Sequence, residues 1–365
     1  MALPTLAASI RGVLDWRNIG LAHWLKYKSS IANTIATTTV TDVTTTPSAV
    51  FPGADSFSSS VLLLDGRVFC VPYNSTTARI YDVTSNTLTT PAGTYAGASG
   101  HSGGVLLKDG RVFIVPQAST TARIYDPISN TLITPNGTYP GGQAYSGGVL
   151  LPDGRVFCVP YGSTTARIYD PASNTLSIPN GVYPGGSYQF EGGILLPDGR
   201  VFCIPTYSTT ARIYDPISNT LITPSGSYPG NYAYSGGVLL PDGRVFCVPC
   251  NTTTARIYNP ITNTTTTPSG AYPGNYAFSG GVLLPNGKVF CIPHMSTIAK
   301  IYDPIADTLS NATGTFPGST SYSGGVVLPD GRIFCSPYSA TSARLYGGGG
   351  GFDQNVALSA YYNKF

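Results

Sequence analysis

The sequence predicts an all-β chain, a seven-bladed β-propeller of four-stranded blades, and three observations predict it. One stretch recurs seven times. Its cleanest copy begins at Gly147 as Gly-Gly-Val-Leu-Leu-Pro-Asp-Gly-Arg-Val-Phe-Cys-Val-Pro and goes on to Ser-Thr-Thr-Ala-Arg-Ile-Tyr-Asp-Pro. The turn glycine of each copy stands at Gly66, Gly110, Gly154, Gly199, Gly243, Gly287 and Gly331, so every step is 44 or 45 residues, a period that belongs to solenoids and propellers. Each copy also holds four short apolar or β-branched runs divided by turn residues, the content of one blade. Finally, the seventh copy stops at Ala343-Arg-Leu-Tyr346 without its fourth run, and a run that matches the missing one stands ahead of the first copy.

Taken in order, residues 1–31 differ from the rest. Leu6, Ile10, Val13 and Leu14 recur at helical spacing, as do Ile19, Ala22 and Leu25, which predicts a short amphipathic arm. Trp16, Trp24 and Leu25 are its candidate docking residues, since aromatic anchors carry much of an interface's affinity. Residues 32–46 are Thr-rich and β-prone. Within them Thr44-Thr45-Thr46-Pro47, followed by Phe51-Pro52-Gly53, matches Leu221-Ile222-Thr223-Pro224 followed by Tyr228-Pro229-Gly230. Residues near 38–47 are therefore expected to supply the outer strand of the last blade and so hide a free sheet edge. The propeller domain is read as 32–346.

In the template copy, Val149 to Leu151 opens an apolar strand. Asp153-Gly154 is expected to form a two-residue hairpin loop, because a type I′ turn needs positive φ. Arg155 to Pro160 and Ala166 to Asp170 are the second and third strands. Asp170 can bond its own backbone and Pro171 presets φ, so a turn follows. Thr175 to Ile178 is the fourth strand, and Tyr183-Pro-Gly leads to the next copy. After the ring, Gly347–Gly351 reads as a flexible hinge. The tail to Phe365 is too apolar for simple disorder, and Tyr361, Tyr362 and Phe365 are expected to dock.

The repeat resembles that of kelch-type propellers over about residues 38–346. The resemblance is carried by the Gly-Gly pair before the first strand, by Asp-Gly-Arg-Val-Phe, and by Arg-Ile-Tyr-Asp-Pro-x-Ser-Asn-Thr-Leu. It implies a binding module, an adaptor or, in a few members, an oxidase. The Gly-rich hinge and aromatic tail are similar to those of bacteriophage structural proteins.

Composition narrows the function. Only 10% of residues are charged and the net charge is +3, without the basic footprint that nucleic acid requires. Most charges sit at repeat positions. Six of the seven cysteines share one repeat position (Cys70, Cys158, Cys203, Cys247, Cys291, Cys335) and read as small buried thiols. Cys247-Val-Pro-Cys250 has neither a second pair nor a histidine at zinc spacing. Three scattered histidines make no metal site, and no cofactor motif is present. The start has no basic n-region and nothing approaches a membrane span, so the expected place is a virion or a cytoplasmic assembly.

Catalysis breaks symmetry, so departures from the repeat are the candidate site. The aromatic before the first strand runs Phe57, His101, Tyr145, Phe190, Tyr234, Phe278 and Tyr322 and is expected to ring the channel mouth, with His101 the odd member. The serine that follows becomes Glu191, the only glutamate in the chain, in the copy that carries the inserted residue and Tyr188. Tyr73, Tyr161, Tyr207 and Tyr338 recur after second strands. The tyrosines of the Tyr-Pro-Gly loops are expected to wedge between blades. The expectation from all this is a non-enzymatic structural protein, without cofactor or metal, mounted by its ends on protein subunits of an assembly such as a virion (a capsid decoration or a tail or fibre). The alternative is a multivalent lectin whose mouth and loop tyrosines contact surface glycans.

Overall fold

The computed structural model describes residues 42–186 and 188–347. Seven four-stranded antiparallel sheets stand side by side in a closed ring. In blade 3 the strands are Tyr145–Leu150, Val156–Pro160, Arg167–Asp170 and Thr175–Ser177, paired in that order from the channel outward. Blades 1 to 7 begin their inner strands at Phe57, His101, Tyr145, Phe190, Tyr234, Phe278 and Tyr322.

Ring closure follows the sequence. Thr44–Thr45 pairs antiparallel with Arg344–Tyr346, Thr44 opposite Tyr346 and Thr45 opposite Leu345, as the fourth strand of blade 7. Asp42, just ahead of it, accepts the Tyr346 hydroxyl at 2.8 Å and the Thr313 N–H at 2.8 Å. The arm with Trp16, Trp24 and Leu25, and the tail with Tyr361, Tyr362 and Phe365, lie outside the described residues.

The core is seven cores, one at each junction between blades. Between blades 3 and 4, Val149, Phe157, Val159 and Ile168 face Tyr183, Phe190, Val201, Cys203 and Tyr214. The repeated Phe and Tyr have a defined task there. The second-strand Phe of one blade stacks on the third-strand Tyr of the next: Phe157 on Tyr214 at 4.9 Å, Phe202 on Tyr258 at 4.8 Å, and so round to Phe290 on Tyr346 at 4.4 Å and Phe334 on Tyr81 at 5.3 Å. Such pairs add to the area they bury. The repeat cysteines are fully buried free thiols in these junctions, and burial pushes the Cys158 thiol up to about 12.

One turn differs from expectation. Gly154 N–H bonds Leu151 O and Leu151 N–H bonds Arg155 O, and only Gly154 has positive φ, 97°. The loop is therefore three residues, a type I turn closed by a left-handed glycine, rather than a two-residue type I′ turn. Pro152 suits the first central position of a type I turn through its fixed φ, and Leu64 and Lys108 at the same place in blades 1 and 2 form the same turn around Gly66 and Gly110. Asp153 then accepts both the Arg155 N–H and its guanidinium.

Candidate functional site

Antiparallel meanders place loops alternately on two faces. The loops after second strands and those entering first strands share one face, and there the backbone forms a belt. The N–H of Tyr161, which follows the second strand of blade 3, donates to Ala144 O at 2.8 Å in its own blade. The Tyr161 carbonyl accepts the N–H of Gln189 from blade 4 at 2.7 Å. The same two bonds recur at every junction, the last being Ser56 N–H to Tyr338 O at 3.0 Å. Backbone bonding of this kind leaves no freedom to the seven rim residues: Tyr73, Gln117, Tyr161, Thr206, Cys250, His294 and Tyr338.

Inside the rim, first-strand serines line the channel. Ser102 and Ser146 hydroxyls lie 3.3 Å apart, and Ser235 and Ser279 hydroxyls 3.4 Å. Glu191 takes the serine position in blade 4. Its half-buried carboxylate accepts the Ser235 hydroxyl at 2.8 Å. Desolvation raises its pKa, against the lowering effect of that hydrogen bond. The phenols of Tyr161 and Tyr338 and the Cys250 thiol are pushed up by burial, and the Glu191 charge adds to each shift. Glu191 stands on the innermost strand of blade 4, Phe190–Leu195, and its bond to Ser235 of blade 5 sets its carboxylate among the channel serines.

Above the rim runs an arc of tyrosines. Ring centroids lie 4.9 Å apart for Tyr161 and Tyr188, 5.4 Å for Tyr188 and Tyr232, 4.6 Å for Tyr207 and Tyr232, and 5.7 Å for Tyr232 and Tyr276. Across the mouth Tyr73 pairs with Tyr338 at 5.7 Å, and His294 packs on Tyr338 at 5.6 Å. His294 Nδ1 lies 2.8 Å from Tyr322 O. Tyr188, Tyr232 and Tyr276 hold φ of 66°, 56° and 55°, a left-handed backbone that costs a bulky residue on the order of 1–3 kcal/mol. Asp55, Ser99, Gln143 and Thr320 hold the same position in the other four blades.

The structure thus brings Glu191, Tyr73, Tyr161, Tyr188, Tyr207 and Tyr338 together on one face. It does not bring His101, Tyr145, Tyr234 or Tyr322 there. All four are fully buried between blades, set edge-on against Tyr95, Tyr139, Tyr228 and Phe316 at 6.0–6.1 Å. The cause is a bulge. Tyr145 pairs with Pro160, but the register shifts before Gly148, so the following serine, and not the aromatic, faces the channel. Tyr232 and Tyr276 were missed, although they align with Tyr188 two residues before the first strand. The Tyr-Pro-Gly tyrosines are buried wedges, as expected. Among the described residues no group of three His, Cys, Asp or Glu is placed to hold a metal, and no helix is long and apolar enough to cross a membrane.

No protein-family model and no curated protein sequence matches this chain. Solved structures do. A streptogramin B lyase superposes with a TM-score of 0.71 at 12% identity, covering 84% of this chain and 97% of the other. An inactive virginiamycin B lyase from Staphylococcus aureus, with quinupristin, gives 0.69 at 10% over 83% and 99%. The WD40 propeller domain of Doa1 gives 0.63 at 14% over 83% and 96%. These likenesses show the fold and carry neither the kelch resemblance nor the likeness to bacteriophage proteins. They also correct the expectation of a non-enzymatic protein: rings of this build include lyases, so the architecture does not exclude catalysis.

Proposed function

We propose that the protein is a ligand-binding propeller whose tyrosine-lined mouth takes a saccharide. The observation that carries the reading is the unbroken arc from Tyr161 to Tyr276 beside Glu191 on one face. Phenol rings offer flat apolar faces with a polar edge, and concave sites use a few polar groups to orient such a ligand. Tyrosine at this left-handed position in three neighbouring blades, where the other four carry Asp, Ser, Gln or Thr, supports a role beyond packing. Because neighbouring rings touch, the arrangement favours one composite site over several equal ones. One similar ring is seen with quinupristin, so rings of this build hold small molecules. Titration against diverse oligosaccharides at millimolar concentration is the test. Binding that weakens about tenfold or more in Tyr232→Ala, a loss of ~1.4 kcal/mol, supports the site, and a blank screen removes it.

A second reading, mounting in an assembly such as a virion, has its own observation. Ile128, Ile217, Ile261 and Ile305 occupy one turn position on the opposite face and are 56–90% exposed, where turns are ordinarily polar. With the arm and tail they would supply apolar contact to a protein partner. Light scattering of the full chain and of residues 32–346 decides it: assembly of the full chain alone supports mounting by the ends, and two monomers count against it.

A further inference from the structure

We infer that the mouth is selective for saccharides that carry a protonated amine, with Glu191 as the counter-charge and the faces of Tyr161, Tyr232 and Tyr338 around the ammonium. The inference rests on the saccharide reading of the mouth and adds the ligand's charge. Its starting point is that Glu191 is out of place. It stands where six blades have serine, takes a hydroxyl bond from Ser235 at 2.8 Å, and among the described residues forms no ion pair. The turn aspartates, by contrast, pair with the arginine two residues on, Asp65 with Arg67 at 2.6 Å and Asp198 with Arg200 at 2.6 Å.

A carboxylate drawn out of water without a cation is costly, and this one stands in the inner strand that the loop bearing Tyr188, a member of the tyrosine arc, leads into. Aromatic faces attract cations through their quadrupole, the more so when desolvated. An ammonium seated there meets the carboxylate below and ring faces at its sides. A neutral sugar leaves the carboxylate unpaired, and an anionic one is repelled. Specificity then comes from what the wrong ligand leaves unsatisfied as much as from what the right one gains.

The test is calorimetric titration with two tetrasaccharides that differ only at nitrogen: the glucosamine tetramer, at a pH where its amines carry protons, and the N-acetylglucosamine tetramer. The expected result is at least tenfold tighter binding of the amine form. Glu191→Gln and Glu191→Ser, the latter restoring the residue of the other blades, should remove that preference, so that each variant binds the two tetramers with equal affinity. Equal affinities, or a preference that survives both substitutions, overturn the charge assignment while leaving a sugar site in place. Failure of both tetramers to bind overturns the sugar reading and the inference with it.

Discussion

At the scale of single residues, burial sets two titrations that can be measured. Desolvation lowers His101 to about 4, with the Arg123 charge adding to it, and neither ring nitrogen has a hydrogen-bond partner among the described residues. The unfolded chain takes up this proton near 6.5. Between those values the unfolded state binds a proton that the native state refuses, so stability is full above the upper value and falls as pH drops toward the lower, by about 3 kcal/mol. His101→Phe copies Phe57, Phe190 and Phe278 at the same position. It should leave a urea midpoint that is less sensitive to acid; equal pH slopes in the two proteins would show that His101 does not contribute to the acid sensitivity. The residue scale is also where sequence was hardest to read. That His101 breaks the pattern was plain, but its direction was not, because the bulge that turns it inward depends on a pairing with Pro116 and a register shift before Gly104. Glu191 was legible because it replaces a serine repeated six times.

Strands and turns were far more legible. Alternation, the Asp-Gly turns and the Asp-Pro turns give each strand to within a few residues, since the signals are local. What the strands do to each other was less visible. Asn174 shows this. In sequence it is only a turn residue, and its φ of 52° fits that. In the fold its amide oxygen accepts the Tyr169 hydroxyl at 2.9 Å and the Asn136 N–H, from the preceding blade, at 3.0 Å. Asn219 and Asn263 repeat the arrangement, and Asp307 and Asp42 replace the amide with a carboxylate. Asn174→Ala should cost roughly 2–3 kcal/mol, from two lost bonds and a left-handed backbone that alanine disfavours. Asn174→Gly should cost less, and Asn174→Asp least. Chemical melts that rank the three otherwise would show that the latch is not what the amide provides.

For the molecule as a whole, period and copy number were enough to give seven blades, and the missing fourth run was enough to give closure. The site was not legible at this scale, because the belt brings together side chains from five or more copies whose shared face is set by the ring. Closure itself depends on few contacts. The closing strand is two residues long, and Asp42 holds both Tyr346 and Thr313. Asp42→Ala should lower the melting temperature more than a surface substitution, by a few degrees, because it loosens the junction on which all others depend. An unchanged melt would mean that the Thr44–Thr45 pairing and the Phe51 cluster seal the ring without it.

The seven phenylalanine–tyrosine stacks also divide the protein optically. Both tryptophans, Trp16 and Trp24, precede the ring in sequence. Emission excited at the red edge of indole absorption therefore reports on the first 31 residues alone. The phenols are fixed in the junctions, and their near-ultraviolet circular dichroism vanishes when packing is lost. A single thermal scan read in both channels follows the leading segment and the ring separately, with no label attached.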